Sequence, residues 1–418
     1  MGDIIRINNQ AFEYDFLAGW IKYNRLDQGM SQEALAHGIC SKSHLSYFES
    51  GKKKLKEDVL VLLLNKLGID SFEPVASMGL LRQKLYHMTT CIEYLNLEEA
   101  DQVFKDIQTH DAIIKKSPYN MEYKIYQLHY DYFVANKHYN DLKETIDLID
   151  KIYPALTEDQ KYLYMLTCGR MMFSYVSHKE GIRRLMLALE IKETPVVNYY
   201  LGFAFCFDDD PLRGVFYFEK ALESYRSSGR YINAVMCHNY LGICYTSLKI
   251  YDQGEEHFKT GITGAEHFSI TLILGHLYTN IAHLYMCTDR YDLAEAYVKK
   301  GVENFDDPLL PISNLIEIYE RMGQNHLIQP LFEAYLVPER MTSKYYLLLE
   351  FQYRRLCTPH DKAYYEALAN KILPFYEKIH YIELSDMIRK AMIDYLESVR
   401  QYKAANQLYK TLLRMREG

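Results

Sequence analysis

Residues 28 to 51 read QGMSQEALAHGICSKSHLSYFESG. The stretch holds two short amphipathic pieces, each preceded by a serine. Ser31 precedes Gln32–His37, with Leu35 and Ala36 turned inward, and Ser41 precedes Lys42–Ser50, with Leu45 and Phe48 turned inward. A serine at a helix N-cap accepts a hydrogen bond from an otherwise unpaired N–H of the first turn, so each serine marks a helix start. Gly38 permits the turn between the pieces and Gly51 closes the second. Two short helices joined in this way form a helix-turn-helix.

The flanks supply the rest of a small domain. Tyr14–Asp27 places Phe16, Leu17, Trp20, Ile21 and Leu26 on one side at helical spacing. Val59, Leu60, Leu63, Leu64 and Leu67 predict a further helix that Gly68 ends. In a helix-turn-helix the second helix of the motif enters the major groove, with its N-terminal residues at base edges. Those residues here are Ser41, Lys42, Ser43, His44 and, one turn on, Tyr47. Lysine donates to guanine O6 and N7, serine serves several bases, and an aromatic ring meets the thymine methyl. Gln32 opens the preceding helix, where its amide and the free N–H groups suit a phosphate. Lys52 and Lys54, within the run Lys52–Lys56, bring local positive charge. That charge is needed. Residues 1–72 carry nine Lys/Arg and nine Asp/Glu, so the remainder, with 48 − 9 = 39 basic and 55 − 9 = 46 acidic residues, holds the whole net charge of −7. A neutral head on an acidic body does not point to broad polyanion binding, so DNA binding by the head rests on a local cluster.

The order Arg25, Gly29-Met30-Ser31-Gln32, Leu35-Ala36 and Ser41 through Lys52 resembles the Xre/lambda-repressor-like helix-turn-helix family. The resemblance covers about residues 12–70. It implies an ion pair between Arg25 and Glu49.

Beyond the head the sequence repeats. Leu201-Gly202, Leu241-Gly242 and Ile281-Ala282 recur at intervals of 40 residues. Small residues (Gly214, Gly254, Ala294), large ones (Phe218, Phe258, Val298) and small ones again (Ala221, Gly261, Gly301) follow each at fixed offsets. A weaker frame continues through Cys168-Gly169, Met172, Gly181, Leu185 and Ala188, through Leu315, Tyr319, Ile328 and Phe332, and through Ala391, Tyr395, Ala404 and Leu408. The pattern resembles the tetratricopeptide repeat, in which small residues let paired helices approach and aromatics fill the space to the next pair. The expected fold is all-α: a lambda-repressor-like helix-turn-helix over residues 1–72, then a right-handed tetratricopeptide superhelix of about nine helix pairs over 76–418.

Such a superhelix has a concave face. With Leu201 counted as position 7 of its repeat, positions 2, 5, 9 and 12 are expected to line it. Position 5 is Leu166, Tyr199, Asn239, Thr279 and Ser313, position 9 is Arg170, Phe203, Ile243, His283 and Glu317, and position 12 is Phe173, Cys206, Thr246, Met286 and Glu320. The candidate peptide contacts are Arg170, Tyr199, Phe203, Asn239, Thr246, Asn280, His283 and Glu317, because an asparagine carboxamide pairs with a peptide backbone in both senses and apolar pockets take side chains.

A helix-turn-helix joined to such an array resembles the RRNPP group of peptide-pheromone receptors, and its NprR-like members most by length. Arbitrium-type phage receptors share the architecture. His238-Asn239 with Tyr245 resembles a peptide-clamping helix of the group. The resemblance implies a peptide-responsive transcriptional regulator whose partners are double-stranded DNA, a short signalling peptide and further copies of itself, as a homodimer or higher oligomer. A Rap-like role on a response regulator is the alternative, with Gln83, Glu93 and Asp101 as candidates to orient water. A repeat scaffold without a small ligand is a third.

Other classes lack support. There is no P-loop, no GxGxxG after a strand, no HExxH and no GxSxG. No catalytic residues, cofactor or metal are expected: His276 and His283 share a face but lack further ligands at suitable spacing. The eight cysteines stand singly, as buried thiols do in a reducing compartment. Met1-Gly2 begins like a myristoylation site, yet Arg6 stands where Ser or Thr is required. With neither a signal peptide nor an apolar run of membrane-spanning length, the expected location is the cytoplasm, with no membrane partner.

Overall fold

The computed structural model describes residues 4–7, 10–69, 75–305, 307–343, 345–358, 361–378 and 382–417. The described chain divides into two units, Met1–Arg230 and Tyr231–Gly418.

The first unit opens with a departure from an all-helical chain: β1 (Ile4–Ile7) pairs antiparallel with β2 (Gln10–Glu13), Ile5 opposite Phe12. Four helices follow: α1 (Tyr14–Asp27), α2 (Gln32–Ala36), α3 (Lys42–Glu49) and α4 (Glu57–Lys66). Ser31 Oγ accepts from the Ala34 N–H at 3.0 Å and Ser41 Oγ from the His44 N–H at 3.2 Å, so both serines cap as expected. Leu17, Ile21, Leu35, Leu45, Phe48, Leu60 and Leu63 form a closed core beneath the motif.

The body of this unit is α5 (Val75–Glu93), α6 (Leu97–Gln108), the short α7 (Asp111–Lys115), α8 (Asn120–Phe133), α9 (Tyr139–Ile152), α10 (Glu158–Tyr175), α11 (His178–Ile191), α12 (Pro195–Phe207) and α13 (Pro211–Ser227). The expected boundary at 72–76 runs into residues 70–74, which lie outside the described ones; the head and the helices after it belong to one unit.

The head is seated on this body through α1. Trp20 has no exposed surface, and its indole N–H donates to Asn120 Oδ1 at 3.0 Å. Asn120 Nδ2 donates to Asn24 Oδ1 at 2.6 Å, and Asn24 Nδ2 to the Trp20 carbonyl at 2.8 Å. Gly19 faces Ala155, whose methyl a side chain at 19 would overlap. Lys22 donates to the Lys151 carbonyl at 2.5 Å. Tyr23 joins the core of Met121, Ile125 and Ile149.

The second unit comprises α14 (Tyr231–Ser247), α15 (Tyr251–His267), α16 (Thr271–Cys287), α17 (Tyr291–Asn304), α18 (Leu309–Arg321), α19 (Ile328–Tyr335), α20 (Tyr346–Cys357), α21 (Lys362–Ala367), α22 (Leu373–Lys378), α23 (Ile382–Ser398) and α24 (Tyr402–Glu417). Its antiparallel pairs close as the small residues require. A Cβ on Gly242 would lie 2.5 Å from the Phe258 ring, so only glycine lets α15 pack this tightly on α14. The helices α14, α16 and α18 lie side by side.

The connections carry a periodicity finer than the repeat. Left-handed residues recur at Asp209, Gly229, Lys249, Ser269 and Asp289, with φ between 56° and 70°. One residue past each, an N–H returns to a carbonyl five residues back, as in Ile250 to Tyr245 and Arg290 to Tyr285, both 2.9 Å. This is a helix C-cap of the Schellman type, and it sets the same reversal every half repeat.

One buried polar contact fixes α8 to α10. Thr167 gives its hydroxyl proton to the Leu163 carbonyl at 2.7 Å, so it accepts from His129 Nδ1–H at 2.8 Å. His129 Nε2 is buried without a hydrogen-bond partner, and burial holds the imidazole well below its usual 6.5, at about 3. Between those values the unfolded chain binds the proton and the folded chain does not, so stability rises with pH across the window. Thermal unfolding followed by circular dichroism should show the midpoint falling as pH drops from about 6.5 toward about 4, and His129→Phe should flatten that part of the profile.

Candidate functional site

The helix-turn-helix is organised by one carboxylate. Glu49 on α3 receives Arg25 on α1 through two bonds, Nε to Oε1 at 2.6 Å and Nη2 to Oε2 at 2.7 Å. Arg25 Nη1 also donates to the Met30 carbonyl at 2.8 Å, and Gln32 Nε2 on α2 to Glu49 Oε2 at 2.8 Å. Three helices therefore meet at a buried, bidentate pair. The pair implied by the family resemblance is present. Gln32 differs from expectation, since one of its amide protons serves Glu49 and only the second is left for a phosphate.

The presenting surface lies one turn away. Ser41, Lys42, Ser43 and His44 are exposed, and Tyr47 is 52% exposed on the same helix. Lys42 reaches Glu33 at 3.8 Å with both side chains in solvent, a pairing weak enough to be exchanged for another anion. Lys53, which sequence reasoning left among the general lysine run, donates from Nζ to His44 Nε2 at 3.1 Å. In that contact the ammonium donates and Nε2 accepts. Lys52 is exposed, and the Lys54 ammonium stands 5.7 Å from the Tyr14 ring centroid. Tyr14 holds this loop through its hydroxyl on the Leu55 backbone, and burial raises that phenol to about 12. A basic loop is thus fixed beside the N-terminal half of α3.

In the first unit, Arg170 on α10 lies among rings. Its guanidinium carbon is 4.3 Å from the Phe203 centroid and 6.0 Å from that of Tyr200, and Nη1 donates to Ser174 Oγ. Among the described residues no carboxylate pairs with it. Tyr199 packs edge-on against Tyr200 and Phe218. Tyr200, which sequence reasoning passed over, completes the aromatic wall; its offset of one from Tyr199 was the available signal.

In the second unit, Asn280 Nδ2 donates to Asn239 Oδ1 at 2.9 Å, joining α16 to α14. Among the described residues the Asn239 amide protons and the Asn280 carbonyl take no further bond. Thr246 turns its hydroxyl back to the Gly242 carbonyl at 2.7 Å, so its remaining capacity is as an acceptor. His283 is exposed, with Nε2 3.6 Å from Cys287 Sγ. Glu317 is taken by Arg321, one turn along α18, at 2.8 Å. Beside Asn239, His238 Nδ1 lies 2.9 Å from His257 Nδ1, and His257 stacks on Tyr245. Nothing in the repeat grammar points to His257, which sits on the partner helix α15.

The rows also sort differently from expectation. Position 5 is largely sunk: Leu166, Asn239, Thr279 and Ser313 are buried and only Tyr199 is half-exposed. Position 9 is the accessible row, with Arg170, Phe203, Ile243 and Glu317 half-buried and His283 exposed. At position 5 the Thr279 hydroxyl donates to the Gly275 carbonyl one turn back at 2.7 Å, and the Ser313 backbone carbonyl accepts from Gln352 Nε2 at 3.0 Å. The proposed water-orienting residues are mostly occupied as well. Glu93 pairs with Arg230 at 3.1 Å, and Asp101 accepts from Lys105 at 2.6 Å and from Tyr130 at 2.5 Å, which leaves Gln83 exposed.

Removing one member of the buried ion pair leaves a charge in the core. Glu49→Ala should therefore cost about 3–5 kcal/mol in chemical denaturation, whereas Arg25→Met combined with Glu49→Leu should cost much less. Equal losses in the two proteins contradict this account of the pair.

A helix-turn-helix family model matches residues 21–73. The transcriptional activator NprA of Geobacillus stearothermophilus is 21% identical over 397 residues, spanning 90% of this chain and 97% of the relative. Among solved structures, NprR in complex with its cognate peptide NprX aligns with a TM-score of 0.60 at 17% identity, covering 81% of this chain and 99% of that one. A Rap protein complexed with competence and sporulation factor gives a TM-score of 0.64 at 14% identity, covering 81% and 98%. No described helix is long and apolar enough to cross a membrane. The chain thus joins an N-terminal helix-turn-helix to a body of paired helices, and it is similar over nearly its full length to a transcriptional activator and in fold to a peptide-bound receptor.

Proposed function

We propose that the chain is a cytoplasmic, peptide-responsive transcriptional regulator that acts by binding rather than by catalysis. The head contacts operator DNA through Ser41, Lys42, Ser43, His44 and Tyr47, with Gln32, Lys52 and Lys54 on the phosphates. The repeat body receives a short peptide. In the second unit Asn239 and Asn280 pair with the peptide backbone beside Thr246 and His283. In the first, Arg170 receives a carboxylate against Phe203 and Tyr199.

The observation that carries this proposal is the exposed face of α3, held by the Glu49 hub and, among the described residues, partnered across its N-terminal half only by Glu33 and Lys53. A peptide-bound NprR and a transcriptional activator of matching length support the two halves together. A neutral head binds DNA weakly as a single copy, so the proposal requires two heads in a homodimer, on half-sites about one helical turn or a multiple of it apart. The peptide acts by favouring one body geometry, and equal affinity for two geometries shifts nothing.

Gel shifts against genomic fragments test the head. Lys42→Ala and Tyr47→Ala should each weaken operator binding by about 1–3 kcal/mol if they read bases. Unchanged binding in both variants contradicts the assignment of α3. Mass spectrometry of peptides released from the purified full-length chain tests the body. A bound peptide, once synthesised, should lose affinity for Asn239→Ala in calorimetry, and undiminished affinity removes Asn239 from the site.

The likeness to Rap proteins favours a second reading, in which the array contacts a response regulator. On that reading Gln83 is the candidate side chain, and its replacement should alter the regulator's phosphorylation lifetime without affecting DNA binding.

A further inference from the structure

One cluster in the first unit has no part in the readings above. His87 and Cys91 on α5 and Glu99 on α6 offer three different ligand atoms that all lie within 4.8 Å of one another. His87 and Cys91 are four apart, so they share one face of α5. His87 Nε2 stands 3.7 Å from Cys91 Sγ and 2.9 Å from Glu99 Oε1. Asn96, the N-cap of α6, donates from Nδ2 to Glu99 Oε2 at 2.6 Å, which holds the carboxylate with Oε1 toward the histidine. Bonds of about 2.0–2.3 Å in a tetrahedron separate nitrogen, oxygen and sulfur ligands by roughly 3.3–3.7 Å, so the cluster is close to a coordinating arrangement.

We propose that His87, Cys91 and Glu99 bind a divalent transition-metal ion of the zinc class, with three protein ligands and a fourth position open to water. The donor set is borderline-soft, which favours zinc over magnesium or calcium. Cys91 is 4% exposed while the imidazole of His87 is in solvent, so the ion enters from the His87 side. Binding forms a metal–sulfur bond and releases the thiol proton to solvent. Because the ligand is the thiolate, binding strengthens as pH rises. Asn96 supports a ligand in the way outer-shell partners do. The bound ion clamps α5 to α6 at the start of the repeat body.

The alternative is a His87–Glu99 ion pair with Cys91 serving only as a packing residue. Cobalt(II) titrated into the metal-stripped full-length chain separates the two. The site predicts saturation at one equivalent with a thiolate-to-cobalt charge-transfer band. His87→Ala and Glu99→Gln should weaken binding at least as much as Asn96→Ala, for which roughly a 10–100-fold loss is expected. Cys91→Ser should abolish the band; if that protein does not fold, His87→Ala, altered at an exposed side chain, carries the test. Absence of a charge-transfer band overturns the proposal, as does a band of unchanged affinity in His87→Ala.

Discussion

The first helix of the head is buried on two sides. One side closes the helix-turn-helix core, and the other lies on α8, α9 and the turn at Ala155. Trp20 occupies the junction. Its ring is in the head core, and its N–H enters a three-member amide network with Asn120 and Asn24. A buried network of this kind is stable only while every member is satisfied, so the junction has one well-defined geometry. From there, fixed contacts run both ways. Arg25 on the same helix holds Glu49 of α3, and α8 holds α10 through His129 and Thr167. The second helix of the helix-turn-helix is thereby tied to the repeat body inside one unit.

Much of this was legible in the sequence because it is local. Serine caps, inward leucines and the Gly-x3-Phe spacing act over a few residues, and the head helices fall where those signals put them. The Arg25–Glu49 pair was legible only through a family resemblance. What escaped has two physical origins. The Trp20–Asn120 bond joins residues 100 positions apart, which no periodicity encodes. The left-handed loop residues escaped because Asp209, Lys249, Ser269 and Asp289 are not glycine, so composition did not mark them. Packing of neighbouring repeats, which repeat numbering alone does not give, sinks position 5 and leaves position 9 open. The Gln32 amide was assigned to phosphate because nothing in its own segment shows that Glu49 comes within reach.

The charges of the first unit serve mainly to tie helices together. Arg82 joins Glu122 at 3.0 Å, Arg230 joins Glu93, and Arg184 bridges Asp150 and Glu180. Arg170 is an exception. Among the described residues it faces rings and a hydroxyl rather than a carboxylate. In the second unit the corresponding exception is polar and neutral: the Asn239–Asn280 pair bridges two helices and still keeps donors and an acceptor to spare.

The central claim is that the head moves with the body it sits on, and the chain carries a reporter for it. Trp20 is the only tryptophan and is fully buried at the junction. Its fluorescence in the folded full-length protein should be blue-shifted and resistant to a soluble quencher, and Asn120→Ala should shift it to the red while far-UV circular dichroism is preserved. Red-shifted, freely quenched emission from the folded parent protein would contradict the account, because the head would then be detached from the repeats.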